Sequence, residues 1–375
     1  MRRALPLLCL VLACNGDDES TTTFTAATYN GGLAVGFVKA AHARAPLVAD
    51  AVRALEADVV CVQEFWQPEH VDLLDAPGSA FANSVFFDPD PGTIGPAACT
   101  DADLMDLQTC AETNGCPMVC EDELVNCVLD NCLAEFTAVP AGCNACLQAN
   151  VGKSYEDVIA SCKSQSTEYA FGGAFGIGLL SRHAFVQQDT LVFESTTNRR
   201  AVIYGQIATD IGTVHAFCTH LTAVFASIPF PDPMGSWEAE QAAQIDRMLA
   251  YVDEKTGGSG LVVLMGDMNT GPAGDTHVAE VEQNYQKFLA AGFANPYIAT
   301  PGHPCTFCAD NPIVAEGSDD SASVVIDHVL LRGQDPSAQA SGVRILDQGI
   351  TVDNCNMQIA TAYSDHYGVS VTLTQ

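Results

Sequence analysis

An α/β architecture of buried sheets covered by helices is predicted by three observations. Apolar, β-rich runs recur along the chain, and several are continuous, such as Val59-Val60-Cys61-Val62 and Leu261-Val262-Val263-Leu264-Met265. Such runs suit strands buried on both faces. Segments with helical periodicity alternate with them. Polar groups of chemical interest stand at the ends of the runs, where α/β sheets assemble their sites.

The 375-residue chain opens with Arg2-Arg3, an apolar run from Ala4 to Ala13 and then Cys14. A basic start and a short apolar core read as an export signal over residues 1–13, too short to span a membrane as a helix. Val11-Leu12-Ala13-Cys14 resembles the bacterial lipoprotein box, which implies a lipidated Cys14 and anchorage at the outer membrane or cell surface. Leu12 is atypical there, and a plain secretory signal is the alternative. Residues 14–23 form a polar tether, and residues 24–375 form the expected catalytic domain, interrupted by a cysteine-rich insertion over residues 99–162. Beyond the leader no stretch is long and apolar enough to cross a membrane.

Strands are expected at Phe24–Asn30, Asp58–Gln63, Ser84–Phe87, Gly176–Ser181, Ala201–Ala208, Thr213–Leu221, Leu261–Asp267, Val324–Leu331 and Tyr367–Leu373. Helices are expected at Val35–Glu56, Ser236–Glu254 and Val278–Ala291. Pro46 starts or kinks the first of these. In the second, Ser236 caps, Glu238 and Glu240 occupy the first turn, and Trp237, Ile245, Met248, Leu249 and Val252 share one face.

Nine of the sixteen cysteines fall between Cys99 and Cys162. That segment carries eleven acidic residues against one lysine and reads as a stapled, helix-rich surface insertion, with Asp122–Phe136 its best helix. Export favours disulfides over a zinc site at Cys143-x-x-Cys146 or Cys305-x-x-Cys308. These nine, with Cys305, Cys308 and Cys355, make twelve stapling residues. Cys61 and Cys218, inside apolar runs, are expected as small core thiols.

Hydrophobic residues make up 48% of the chain, which excludes disorder as its dominant state. The net charge of −31 argues against a broad nucleic-acid or anionic-lipid surface. It leaves a local phosphate site open, because a metal ion inverts the field around it. Tyr29-Asn30, Val62-Gln63-Glu64, Thr219-His220-Leu221, Gly266-Asp267-Met268-Asn269, Ile326-Asp327-His328 and Ser364-Asp365-His366 all stand at strand ends. Carboxylates and an amide oxygen suit a hard cation such as Mg²⁺, and histidines serve as acid and base. The implied chemistry is metal-assisted attack of water on a phosphoester. His42, His70, His183, His215, His277 and His303 have no comparable context and read as surface or packing residues.

In that order the six motifs resemble the endonuclease/exonuclease/phosphatase superfamily, from about Phe24 to the C-terminus. The resemblance implies a four-layer α/β sandwich of deoxyribonuclease-I type and a Mg²⁺ cofactor, with Mn²⁺ or another divalent cation as the alternative. It implies Glu64 as a metal ligand, Asn30 as its neighbour near metal and phosphate, and Asp365 as the second-site metal-binding or water-positioning aspartate. It implies His366 as general base with Asp327 or another acid nearby as its orienter, His220 as acid or hydrogen-bond donor, and Asp267 with Asn269 orienting nucleophile and phosphate. Arg200 or Arg199 contacts phosphate. Where the family often has tyrosine or arginine after the late aspartate, His328 stands here, which would alter metal number or substrate fit.

Thr219-His220-Leu221-Thr222-Ala223 resembles the Thr-His-Leu-x-Ala stretch of neutral sphingomyelinases, and Gln241, Gln244 and Ile245 in the next helix accord with that branch. The apolar loop Ala223–Pro231, running on towards Met234 and Trp237, either dips into a lipid interface or packs on the body. The leading expectation is a sphingomyelinase- or phospholipase-C-like phosphodiesterase acting on a membrane lipid. An extracellular nuclease is the second, and a non-catalytic surface-binding lipoprotein the third.

Overall fold

The computed structural model describes residues 22–119, 123–225, 230, 235–317, 322–335 and 337–375. The expected export signal, Cys14 and the tether up to residue 21 lie outside the described residues, as do residues 226–229 and 231–234 of the apolar loop.

In chain order the strands are β1 (Thr23–Asn30), β2 (Val59–Gln63), β3 (Asn83–Phe86), β4 (Gly95–Pro96), β5 (Gln165–Ser166), β6 (Gly178–Ser181), β7 (Phe185–Val192), β8 (Ala201–Thr209), β9 (Gly212–His220), β10 (Leu261–Asp267), β11 (Asp327–Arg332), β12 (Gln339–Ile345), β13 (Gly349–Asn354), β14 (Met357–Ala362) and β15 (Gly368–Thr374). The helices are α1 (Ala41–Arg53), α2 (Pro68–Leu74), α3 (Asp101–Thr113), α4 (Leu124–Ala138), α5 (Ala141–Ala149), α6 (Tyr155–Ser164), α7 (Trp237–Thr256), α8 (Glu282–Ala290), α9 (Pro296–Ala299) and α10 (Pro312–Gly317). One sheet runs β12-β15-β1-β2-β6-β3 and the other β11-β10-β9-β8-β7.

Strand alternation builds four layers from these pieces. Val59 and Cys61 of β2 point into the layer between the sheets, while Val60 and Val62 point outward against Ala45, Val48 and Val52 of α1. Val263 and Met265 of β10 likewise point inward, and Val262 and Leu264 pack on Ile245 and Met248 of α7 and Phe288 of α8. Helix α7 begins as expected, with Ser236 Oγ accepting from the Ala239 amide at 3.1 Å, and ends at Gly257 in the left-handed conformation. Helix α1 starts later than expected, at Ala41, and Pro46 lies inside it.

The insertion is helical, as expected. Helices α3 to α6 surround their own small core, stapled by Cys99–Cys143, Cys110–Cys132, Cys116–Cys127 and Cys146–Cys162. The short antiparallel pair β4–β5 closes its base. Cys305 pairs with Cys308, so neither Cys-x-x-Cys is a zinc site, and Cys355 is also disulfide-bonded. Cys120 lies outside the described residues.

One expectation is overturned. Cys61 and Cys218 are not free core thiols but a disulfide across the two sheets. Both side chains point inward from facing strands, which brings their Cα atoms to 5.1 Å, within bridging range. The bond closes a chain separation of 157 residues, so it restricts the unfolded chain strongly. The double replacement Cys61→Ala/Cys218→Ala is expected to lower stability by roughly 2–5 kcal/mol, read as a fall in thermal or denaturant midpoint. An unchanged midpoint would show that the pair is not bridged.

Candidate active site

Parallel pairing places the polar strand ends on one edge of both sheets. β1 runs parallel to β2 with Asn30 opposite Gln63, so Glu64 follows immediately beyond the pair. β9 runs parallel to β10 with His220 opposite Asp267, and antiparallel β11 sets Asp327 on the other side of Asp267. Ser364, Asp365 and His366 precede β15, which lies against β1. Four strand ends and two strand entrances therefore meet above the Cys61–Cys218 bond.

His366 and Asp327 form a buried dyad: His366 Nδ1 lies 2.9 Å from Asp327 Oδ2. A carboxylate only accepts, so Nδ1 carries the proton and Nε2 faces Asp267 Oδ2 at 3.8 Å. Burial opposes a charge on His366, but Asp327 and Asp267 outweigh it and hold the imidazole well above its ordinary range. Asp267 is raised in turn, by burial first and then by Asp327. The disulfide loop 305–308 braces the dyad from behind. Thr306 Oγ1 accepts from the Asp327 amide at 3.2 Å, the Tyr367 amide donates to Thr306 O at 2.7 Å, and Phe307 packs on the His366 ring.

The opposite wall is Glu64, Asn30 and Asp365. Asn30 Nδ2 donates to Glu64 Oε1 and to Asp267 Oδ2, both at 3.0 Å, so one amide joins carboxylates from the two sheets. Asn30 Oδ1 accepts from the Gly32 amide at 2.9 Å. Gly32 has a positive φ of 55°, and a Cβ there would lie 2.2 Å from Asp365 Oδ1. Only glycine lets Asp365 approach this turn. Glu64 itself sits at φ 64° and Asn269 at φ 49°, conformations that non-glycine residues adopt at a cost and that gather at functional sites. Burial, then the Asp365 charge, pushes the Glu64 carboxyl up.

Sequence reasoning missed Arg44, whose helical context gave no signal. It is fully buried and donates to the carbonyls of Lys39, Gly31, Gly32 and Tyr363. It thus ties the turn after Asn30 to the residue before Ser364.

His220 Nε2 lies 3.5 Å from Asp267 Oδ2. Burial, then Arg200 and His366, holds His220 well below its ordinary range, so it is neutral. Its ring stacks on Phe175 and lies near Trp66, two aromatic residues also missed in the sequence. Trp66, two positions after Glu64, was the readable signal. The tie between the arginines is resolved. Arg199 pairs with Asp90 and stacks on Tyr169, whereas Arg200 is 3% exposed and donates to the His220 carbonyl. Burial lowers Arg200 to about 10, and it remains charged beside Asp267 and Glu64.

Asn269 donates from Nδ2 to Leu221 O at 2.9 Å, and its amide N–H donates to Asp267 Oδ1 at 2.9 Å. Gln241 of α7 bonds the carbonyls of Thr222 and Asn269, both at 2.8 Å, and Gln244 accepts from the Thr222 amide. His328 is not in the site. As the residue after Asp327 it points to the other face of β11 and bonds Thr270 O at 2.8 Å and Asn295 at 2.9 Å. Burial lowers it to about 4, so it is a neutral packing residue with no bearing on metal number.

The donor set fits a divalent cation. Glu64, Asp267, Asp327 and Asp365 converge, and Asp327 Oδ1 and His220 Nδ1 are buried without a hydrogen-bond partner among the described residues. Glu64, His220 and Asp267 form one group of converging ligand atoms, and Asp267, Asp327 and His366 another. Oxygen-rich sets of this kind hold hard cations.

The fold is shared with solved structures. Sphingomyelinase C from Streptomyces griseocarneus superposes with a TM-score of 0.55 at 17% identity, covering 94% of this chain and 99% of that one. The beta toxin of Staphylococcus aureus, solved with bound magnesium ions, gives 0.57 at 13% identity, covering 93% and 99%. An endonuclease/exonuclease/phosphatase family protein from Bacteroides thetaiotaomicron gives 0.50 at 14%, covering 94% and 98%. No curated protein matches the chain in sequence. At these identities the likeness establishes the fold alone. The model of the Endonuclease/Exonuclease/phosphatase family matches residues 27–366, a span that runs from β1 to the His366 of the buried dyad, and the chain belongs to that family.

Proposed function

We propose that the chain is an exported, divalent-metal-dependent phosphodiesterase of sphingomyelinase or phospholipase C type. The observation that carries the hydrolase reading is the Asp327–His366 dyad aimed across Asp267 at Glu64. Asp327 fixes the His366 tautomer, so that Nε2 is free to take a proton from water. Asp267 stands within reach of both histidines and orients the attacking water. Arg200 supplies fixed positive charge for a phosphoryl oxygen. Neutral His220 turns Nε2 into the cluster and donates a hydrogen bond on the leaving-group side. Glu64 and Asp365 would hold Mg²⁺, with Asn30 keeping Glu64 in place. The cation would polarise the phosphoryl oxygen and offset its charge.

The lipid substrate rests on two supports. The Thr219–Ala223 stretch is the one that resembles sphingomyelinases, and Gln241 and Gln244 of α7 hold it. The second is the charge of −31, which fits a zwitterionic headgroup better than duplex DNA, whereas Phe225 and Phe230 of the apolar loop pack edge-on against Trp237, with ring centres 5.1 and 4.8 Å apart, and so lie on the body. Export fits the disulfides, and no helix among the described residues is long and apolar enough to cross a membrane. Lipidation of Cys14 would anchor the enzyme beside such a substrate. An extracellular nuclease is the second reading, favoured only by the family.

Three outcomes test this. Purified protein releases phosphocholine from sphingomyelin with Mg²⁺ and not with chelator. DNA cleavage without lipid turnover would sink the lipid reading. His366→Ala and Glu64→Ala each lose at least ~10²-fold in kcat/KM with an unshifted melting temperature, and retained activity would displace the site. The base must be deprotonated to act, so the rate rises with pH through the His366 pKa. Asp327→Asn removes the charge that raises this pKa, and the acidic limb of the pH–rate profile moves to lower pH as kcat falls. A limb that stays in place would exclude His366 as the titrating base.

A further inference from the structure

Apart from the catalytic cluster, the buried ring nitrogens without a partner among the described residues are His70 Nδ1 and three that belong to one pair of adjacent histidines, His277 and His303. His42 bonds His70, His183 bonds Asp58, and His215 bonds Tyr204. His277 is 6% exposed, and neither of its ring nitrogens has a partner among the described residues. His303 Nε2 is buried and unpartnered as well. A buried imidazole normally pairs its donor and its acceptor, so two adjacent rings with three idle nitrogens call for an explanation.

His303 Nδ1 lies 3.0 Å from the Thr300 carbonyl. A carbonyl only accepts, so the proton is on Nδ1 and Nε2 presents a bare lone pair. Metal-binding histidines are commonly fixed in this way, by an N–H donated to a backbone carbonyl. The His277 and His303 ring centres are 5.2 Å apart. A tetrahedral ion with two nitrogens at about 2.0–2.1 Å sets its imidazole rings at about that separation. The loop backbone holds the His277 ring in place: the Gly274 amide donates to His277 O, and a Cβ at Gly274 would lie 2.3 Å from the ring. Asp275, two residues before His277, is close enough for its charge to act on that ring.

We propose that His277 and His303 form a second metal site, selective for a transition-metal ion such as Zn²⁺, with water completing the shell. Imidazole ligands suit zinc, copper and nickel, whereas the carboxylate cluster suits Mg²⁺, so the two sites sort their ions by ligand chemistry. The bound ion ties the loop after Asn269 and Thr270 to the loop leading into Thr306. Each loop supports one side of the catalytic edge.

The test titrates Zn²⁺ into the full-length, disulfide-intact protein with Mg²⁺ in large excess to occupy the carboxylate cluster. One equivalent binds. His277→Ala and His303→Ala each weaken binding by more than the roughly 10–100-fold that losing an outer-shell partner costs, while His220→Ala leaves it unchanged. Cu²⁺ bound to the His220→Ala protein gives an electron paramagnetic resonance spectrum with two coupled nitrogens, lost in His220→Ala/His303→Ala. That spectrum needs no change at buried His277, so a folding failure there does not blunt the test. No stoichiometric Zn²⁺ binding in the presence of Mg²⁺, or binding that survives both histidine replacements, would overturn the proposal.

Discussion

Asn30 ends a strand of one sheet and Asp267 ends a strand of the other, and the single Nδ2 of Asn30 donates to Asp267 and to Glu64 at 3.0 Å. This amide sets the separation of the two sheets at their functional edge. Below it, the Cys61–Cys218 bond holds the same two sheets together. Cys61 lies three residues before Glu64 and Cys218 two before His220, so a shift of one sheet against the other would move both groups at once. The positions of His366 and Asp365 depend on the same junction, because Arg44 ties Tyr363 to the Gly31-Gly32 turn that follows Asn30.

The site is built mostly from rigid strand ends, and among the described residues the loops that carry on from them are braced. Leu221-Thr222 and Asn269, the two loops that carry on from His220 and Asp267, are fastened to each other and to α7 by Gln241, Gln244 and Asn269 Nδ2. The 305–308 loop, closed by its own disulfide, does the same for Asp327. Preorganisation of this kind suits a reaction in which charge develops at fixed places, since donors already aimed need no reorganisation.

The strands buried on both faces were legible in the sequence because burial demands unbroken apolar runs, as in β2 and β10. The strands that were missed are those with little to bury. β7 is exposed along most of its length, and β12, β13 and β14 lie at an edge or in a separate hairpin. No periodicity marks such strands. Among site residues, those at strand ends were legible because a polar group closing an apolar run stands out. Arg44, Thr306 and Phe175 were not, since each acts through backbone contacts or stacking that only the folded chain creates. Cys61 and Cys218 show the limit most clearly. Their apolar surroundings pointed to core thiols, and pairing depended on which strands face each other across the layer.

The charge of −31 and a phosphoester substrate conflict only if the field is uniform. Without a cation, the catalytic edge holds Glu64, Asp267, Asp327 and Asp365 against Arg200 and a protonated His366, and it repels an anion. Under the proposed function a divalent cation would bring that balance close to neutral, and the phosphoryl group would meet Arg200 and the ion rather than the carboxylates. The acidic exterior then works as a filter. A polyanion such as duplex DNA must lay many phosphates along a surface with few cations to receive them. A zwitterionic headgroup presents a single phosphate to the edge and its own positive charge to the acidic surroundings. Under the proposed function this charge distribution would favour a substrate with one isolated phosphodiester.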